Sequence, residues 1–173
     1  HPTASSSALH LLSSLHLFGK NPQDYIACKP HASPTDHANN YLQRLFRETN
    51  GERMSDDRAR TAMKNLRHLS FDGEPVFQSY HSAFDADCWN YFPSGSVGIP
   101  PVQALYVAHA YRMAAKHGFK VPSDAHFWCI MGDSEFREGS LMEALPEGSE
   151  RGLGNVTWIV DYNRQSLDGH RIV

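Results

Sequence analysis

Residues 125–135, Ala-His-Phe-Trp-Cys-Ile-Met-Gly-Asp-Ser-Glu, and residues 155–164, Asn-Val-Thr-Trp-Ile-Val-Asp-Tyr-Asn-Arg, decide the fold. Each opens with an apolar run of strand length, and the segment between them has the length of a crossover helix. This is the pattern of a βαβ unit, with parallel strands and a right-handed crossover. Gly132-Asp133-Ser134 and Tyr162-Asn163-Arg164 then emerge at one edge of the sheet, where open α/β sheets bind ligands. An Asp and an Asn so placed offer two oxygen ligands to a hard cation such as Mg²⁺. The turn at Gly132 also aims backbone N–H groups at the same spot, which suits a diphosphate. The same spacing equally serves a helix cap at Asp133 and a plain turn at Asn163.

Working outward, residues 3–18 carry Leu9, Leu12, Leu15 and Leu17 in a helical pattern, and residues 24–28 read as a short strand. Residues 29–32 form a loop. Ser33 as N-cap and Pro34 at the first helical position start a helix that runs through Tyr41, Leu42, Leu45 and Phe46 to Asn50-Gly51. Ser55 caps another, through Met63 and Leu66, which ends before residues 72–75. Residues 76–101 are aperiodic, and long loops in compact domains are more often functional than idle. A helix over 102–117 stops at Gly118, and Gly98 allows close backbone approach before it. Pro146 and Gly148 predict a break near Leu145, because proline inside a helix costs about 3 kcal/mol and glycine about 1 kcal/mol.

The 173 residues suit one domain, and 40% hydrophobic residues with a net charge of −3 describe a globular chain without an electrostatic case for nucleic acid. No apolar run approaches the roughly 18 residues of a membrane span, and neither a signal peptide nor a transit sequence is evident. The opening His-Pro-Thr suggests a piece of a longer protein. Cys28, Cys88 and Cys129 are odd in number and widely spaced, which argues against a disulfide framework and for a reducing, cytoplasmic setting. Of the 11 histidines, those on expected helices, such as His10, His16, His109 and His117, suit surface or packing roles. His1 and His31 stand at loop or element starts, where an imidazole can meet a substrate carboxylate or move a proton. No HxxxH or HExxH spacing points to zinc. Trp89, Tyr91 and Phe92 suit packing better than stacking, and Glu135 and Glu138 suit a first helical turn, Glu135 also a group orienting the Mg²⁺ shell.

Gly132-Asp133-Ser134-Glu135, with Asn163 following Asp133 by 30 residues, resembles the thiamine diphosphate signature, which begins Gly-Asp-Gly and ends in Asn. The resemblance implies that Asp133, Asn163 and the carbonyl of Gln165 hold Mg²⁺ on the cofactor diphosphate. Ser134 replaces the second glycine: either its small hydroxyl is accommodated, or it crowds the phosphate or calls for a positive φ. Nearly the whole chain resembles the homodimeric pyruvate dehydrogenase E1 family, with transketolases more distant. Residues 29–34 resemble its His-x-Ser-Pro loop, residues 79–81 a substrate-side Tyr loop, and residues 91–98 the stretch whose backbone grips the cofactor.

This likeness implies an α/β fold, a parallel sheet with flanking helices, as a truncated diphosphate-binding domain of the thiamine diphosphate-binding fold spanning 1–173. It likewise implies that the pyrimidine-binding and C-terminal domains are absent from these residues. It implies catalytic roles for His1, His31 and Tyr80, and cofactor contacts at Ser94, Ser96, Val97, Gly132, Asp133, Ser134, Glu135, Asn163 and Gln165. The implied chemistry is decarboxylation of a 2-oxo acid, pyruvate, with acyl transfer, in a homodimer that serves an E2 acyltransferase. Ketol transfer between sugar phosphates is the alternative activity, and a non-catalytic remnant that binds a partner subunit is the alternative class.

Overall fold

The computed structural model describes residues 2–68, 74–82, 95–122, 124–166 and 169–170. Helix α1 (Pro2–Ser14) runs into a π-helical turn, Leu15–Gly19, and is followed by strand β1 (Tyr25–Cys28). A 3₁₀ turn, Pro30–Ala32, leads into α2 (Ser33–Leu42), and α3 (Asp56–Lys64) and α4 (Ile99–Lys116) follow. Strand β2 (Phe127–Gly132), a 3₁₀ turn at Asp133–Arg137, α5 (Gly139–Glu150) and β3 (Val156–Asp161) complete the βαβ unit. Two short strands, β4 (Gln165–Ser166) and β5 (Gly169–His170), pair as an antiparallel ribbon.

The main sheet has the order β1-β2-β3 and both pairings are parallel. Its register runs from Phe127↔Val156 to Gly132↔Asp161 on one side of β2, and from Tyr25↔Phe127 to Cys28↔Ile130 on the other. Alternate strand residues face opposite ways, so Ile26, Cys28 and Ile130 pack against Ala8, Leu12 and Leu15 of the first helix and its turn. Ala27, Cys129 and Met131 pack against Ala104 of α4 and Leu141 of α5 on the other face. Helices on both faces explain the apolar runs of the strands. A third cluster, Phe46, Met54, Ala59, Ala62 and Phe77, lies under α2 and α3. Cys28 and Cys129 are buried free thiols whose burial pushes their pKa values up. Among the described residues no helix is long and apolar enough to cross a membrane.

Several boundaries differ from the expected ones. Ser33 is the first residue of α2 rather than its cap, because the preceding 3₁₀ turn flows straight into the helix and its hydroxyl instead donates to the Ser79 carbonyl at 2.7 Å. Helix α2 stops at Leu42 and not at Asn50-Gly51. Arg44 takes a left-handed φ of 58°, the chain turns back, and Met54 N–H donates to the Phe46 carbonyl, which delivers Phe46 to the third cluster. Helix α4 starts earlier than expected, at Ile99, with Pro100 and Pro101 in a first turn that has no use for their missing donors.

The expected break near Leu145 does not occur: α5 is continuous from Gly139 to Glu150 through Pro146. The carbonyl that Pro146 leaves without its helical donor belongs to Met142, an exposed residue, so water can serve it. Gly148 has a packing reason, since a Cβ there would lie 2.7 Å from Leu105 Cδ1. Pro146→Ala restores a helical hydrogen bond and is expected to raise unfolding stability by about 1–2 kcal/mol, measured by urea denaturation, after allowance for the more flexible unfolded chain.

Candidate functional site

Because β1, β2 and β3 are parallel, their carboxyl ends meet at one edge, where Lys29, Asp133, Glu135 and Asp161 are all buried. Past β3, Arg164 adopts a left-handed φ of 57°, which folds the loop so that Asn163 Oδ1 accepts from Gln165 N–H at 3.0 Å. Two contacts then join this loop to the one after β2. Asp133 Oδ2 accepts from Arg164 N–H at 3.1 Å, and Ser134 Oγ donates to the Gln165 carbonyl at 2.7 Å. Asp133 is thereby joined to the loop of Asn163 and Gln165, from which it is distant in sequence. Ser134 is not among the residues with positive φ, so its departure from glycine carries no left-handed backbone strain.

Glu135 ties the site to the start of α4. Its carboxylate accepts from Gly98 N–H at 2.8 Å and from Gly132 N–H at 2.5 Å. Burial pushes its pKa up, while these two backbone donors and Lys29 pull the other way. Gly98 has a φ of 85°, and a Cβ there would lie 2.4 Å from Glu138 Cγ, so only glycine permits this approach. Exposed Ser96 and half-buried Val97 directly precede it in the chain. The Gly132 amide faces Glu135. Ser94 and His1 lie outside the described residues.

The sequence reading missed a second group at this edge. Lys29 Nζ forms a buried ion pair with Asp161 Oδ2 and reaches Ser7 Oγ at 3.4 Å. Ser7 Oγ donates to Asp161 Oδ2 at 2.6 Å and accepts from Asn163 Nδ2 at 3.0 Å. Ser7 comes from α1, Lys29 from the end of β1, and Asp161 and Asn163 from the end of β3, separations that no local motif spans.

The donor set suits Mg²⁺. A carboxylate, an amide oxygen and a backbone carbonyl are hard oxygen ligands that leave room for water and phosphate. Three buried carboxylates against one buried ammonium also leave a formal excess of two negative charges at the edge, which a divalent cation would offset. Among the described residues no group of three or more His, Cys, Asp or Glu is arranged to hold a metal, and the set here is of a different composition.

His31 and Tyr80 meet in a separate cavity of about 240 Å³ lined also by Pro34, Leu66, Arg67 and Ser79, their ring centroids 5.6 Å apart. Burial and the positive charge of Lys29 lower the His31 pKa, which favours the neutral imidazole.

No family model matches the chain. Among curated proteins, the pyruvate dehydrogenase E1 component of Mycobacterium tuberculosis is 31% identical over 170 residues, which is 96% of this chain and 17% of that protein. Those of Mycolicibacterium smegmatis and Pseudomonas aeruginosa are 29% and 28% identical over the same share of the chain. The chain is a relative of one region of the pyruvate dehydrogenase E1 component. It spans 17% to 18% of the length of these relatives.

Within this E1-related chain, one further buried cluster supports the Tyr80 segment. Asp36 is fully buried, with Oδ1 2.6 Å from His16 Nε2 and Oδ2 2.9 Å from His81 Nε2. His37 packs edge-on against His81 and stacks on Phe77. His16 is thus a buried partner of a carboxylate, a role that helical periodicity does not signal. Burial works to raise the Asp36 pKa, but the hydrogen bonds from His16 and His81 prevail and hold it well below the usual carboxylate range. Burial and the neighbouring His81 push the His37 pKa well below its ordinary value too.

A depressed folded-state pKa contributes stability that is complete above the unfolded value, about 3.9 for Asp, and is lost as pH falls through the folded value. Urea denaturation across acid pH should therefore show wild-type stability falling below about pH 4 and a shallower fall for Asp36→Asn. At neutral pH the same variant is expected to be less stable by about 3 kcal/mol.

Proposed function

We propose that this chain is the cofactor-holding portion of a thiamine diphosphate- and Mg²⁺-dependent 2-oxo acid dehydrogenase E1 that acts on pyruvate. The observation that supports this reading is the joining of the loops after β2 and β3, through Asp133 to Arg164 N–H and Ser134 to the Gln165 carbonyl, at the sheet edge where the Asp133, Asn163 and Gln165 oxygens lie. Similarity to proteins named pyruvate dehydrogenase E1 component favours pyruvate over ketose phosphates as substrate.

In this reading Asp133, Asn163 Oδ1 and the Gln165 carbonyl hold Mg²⁺, and the backbone around Ser96 and Val97 with Gly132 and Ser134 lines the diphosphate. Glu135 acts indirectly, by fixing Gly98 and Gly132. When bound, thiamine diphosphate supplies the electron sink that a 2-oxo acid needs to lose CO₂. Neutral His31 can accept a proton on its ring nitrogen, and Tyr80 beside it orients a small acid in the cavity. His1 and Ser94 complete the assignment by resemblance. Residues 1–173 then form part of a diphosphate-binding domain, and turnover requires a pyrimidine-binding domain from the parent, a homodimer that passes its acyl group to an E2 acyltransferase.

Calorimetric titration with thiamine diphosphate tests the reading. Binding is expected in Mg²⁺, is lost in EDTA, and falls at least tenfold in Asp133→Ala, about 1.4 kcal/mol or more. Binding that is indifferent to both EDTA and the substitution would overturn the assignment. Added to the remaining domains of an E1, the chain should support reduction of an artificial electron acceptor with pyruvate, and activity with ketose phosphates alone would favour ketol transfer.

A further inference from the structure

We propose that Ser7 is a positioning residue for the cation: it sets the rotation of the Asn163 carboxamide and so decides which atom Asn163 presents. This rests on the Mg²⁺ reading above. A serine hydroxyl has one proton and two acceptor positions. Ser7 Oγ lies 2.6 Å from Asp161 Oδ2, 3.2 Å from the Ala4 carbonyl, 3.4 Å from Lys29 Nζ and 3.0 Å from Asn163 Nδ2. The Asp161 carboxylate, ion-paired with Lys29, accepts, and the Lys29 ammonium donates. The proton therefore goes to the shorter, charged contact at Asp161 in preference to the Ala4 carbonyl. What remains at Ser7 Oγ toward Asn163 is a lone pair, which requires the NH₂ end of the amide.

The other end of the same amide gives the same orientation, because Gln165 N–H can only donate and so requires an oxygen. A half-turn of the carboxamide would set oxygen against the Ser7 lone pair and NH₂ against the Gln165 N–H. Ser7 thus holds Asn163 Oδ1 on the side of the Gln165 loop that is joined to Asp133. Ala8, next in sequence, and Leu12 lock α1 into the core, so the docking of the first helix is transmitted to a ligand near the other end of the chain. The buried Lys29–Asp161 pair is what fixes the direction of the Ser7 proton.

The test compares wild type, Ser7→Ala and Ser7→Thr. Alanine is the strongest helix former, so S7A retains α1, which far-UV circular dichroism checks. In ligand-free protein, ¹⁵N NMR of the Asn163 side-chain NH₂, assigned through Asn163→Asp, should show protons protected from exchange in wild type and S7T and unprotected in S7A. Calorimetry with thiamine diphosphate and Mg²⁺ should show S7A binding about three- to tenfold more weakly, the effect of one hydrogen bond, and S7T within about twofold of wild type. Unchanged NH₂ exchange and wild-type affinity in S7A would overturn the role of Ser7 and leave the cofactor reading standing. A wild type that binds no cofactor in Mg²⁺, while S7A still loses NH₂ protection, would overturn the cofactor reading and with it the link from Ser7 to the cation.

Discussion

Four ionisable side chains are buried where three parallel strands end, and most of the site's architecture follows from keeping them satisfied. Removing an ion from water costs several kcal/mol unless partners replace the solvent. Lys29 and Asp161 answer one another across β1 and β3, which never pair directly because β2 lies between them. Glu135 is met by two backbone donors, one at the end of β2 and one before α4. Asp133 is met by a backbone donor from the loop after β3. Each solution also joins two segments, so the contacts that satisfy the buried charges also hold the loops after β2 and β3 together.

Local patterns in the chain were legible where the physics is local. Apolar runs marked β2 and β3, Ser55 marked the start of α3 by accepting from Arg58 N–H, and Gly118 ended the helical stretch with a φ of 81°. Asp133, Ser134, Asn163 and Gln165 stood out for the same reason, since a βαβ unit must deliver the ends of its strands to one edge. Ser7, Lys29 and Asp161 did not, because their association depends on α1 docking beside β3, and nothing in a serine-rich helical stretch or a lone lysine announces it. Asp36 with His16 and His81 is hidden in the same way: three polar residues in three segments read as surface until the core closes around them.

Where expectation and structure part, packing outweighs propensity. Periodicity favours continuing α2 to Phe46, but Phe46 is more valuable against Met54 and Phe77, and a left-handed Arg44 is tolerated to bring it there. Proline propensity disfavours α5, but the carbonyl it strands belongs to an exposed residue, while Gly148 lets Leu105 of α4 come close. Each departure carries a local cost, and the core contacts of Phe46 and Leu105 offset it.

The central position of β2 has a kinetic consequence. Its pairing with β3 closes over one crossover helix, whereas its pairing with β1 joins Tyr25 to Phe127 across most of the chain. Loop-closure entropy and contact order favour the shorter closure first, so the β2–α5–β3 unit is expected to assemble before β1 is recruited. Asp133 and Asn163 are then neighbours early, and the Lys29 side of the edge arrives last. Nascent chains emerge in the opposite order, with the residues of β1 waiting unpaired until β2 has been made.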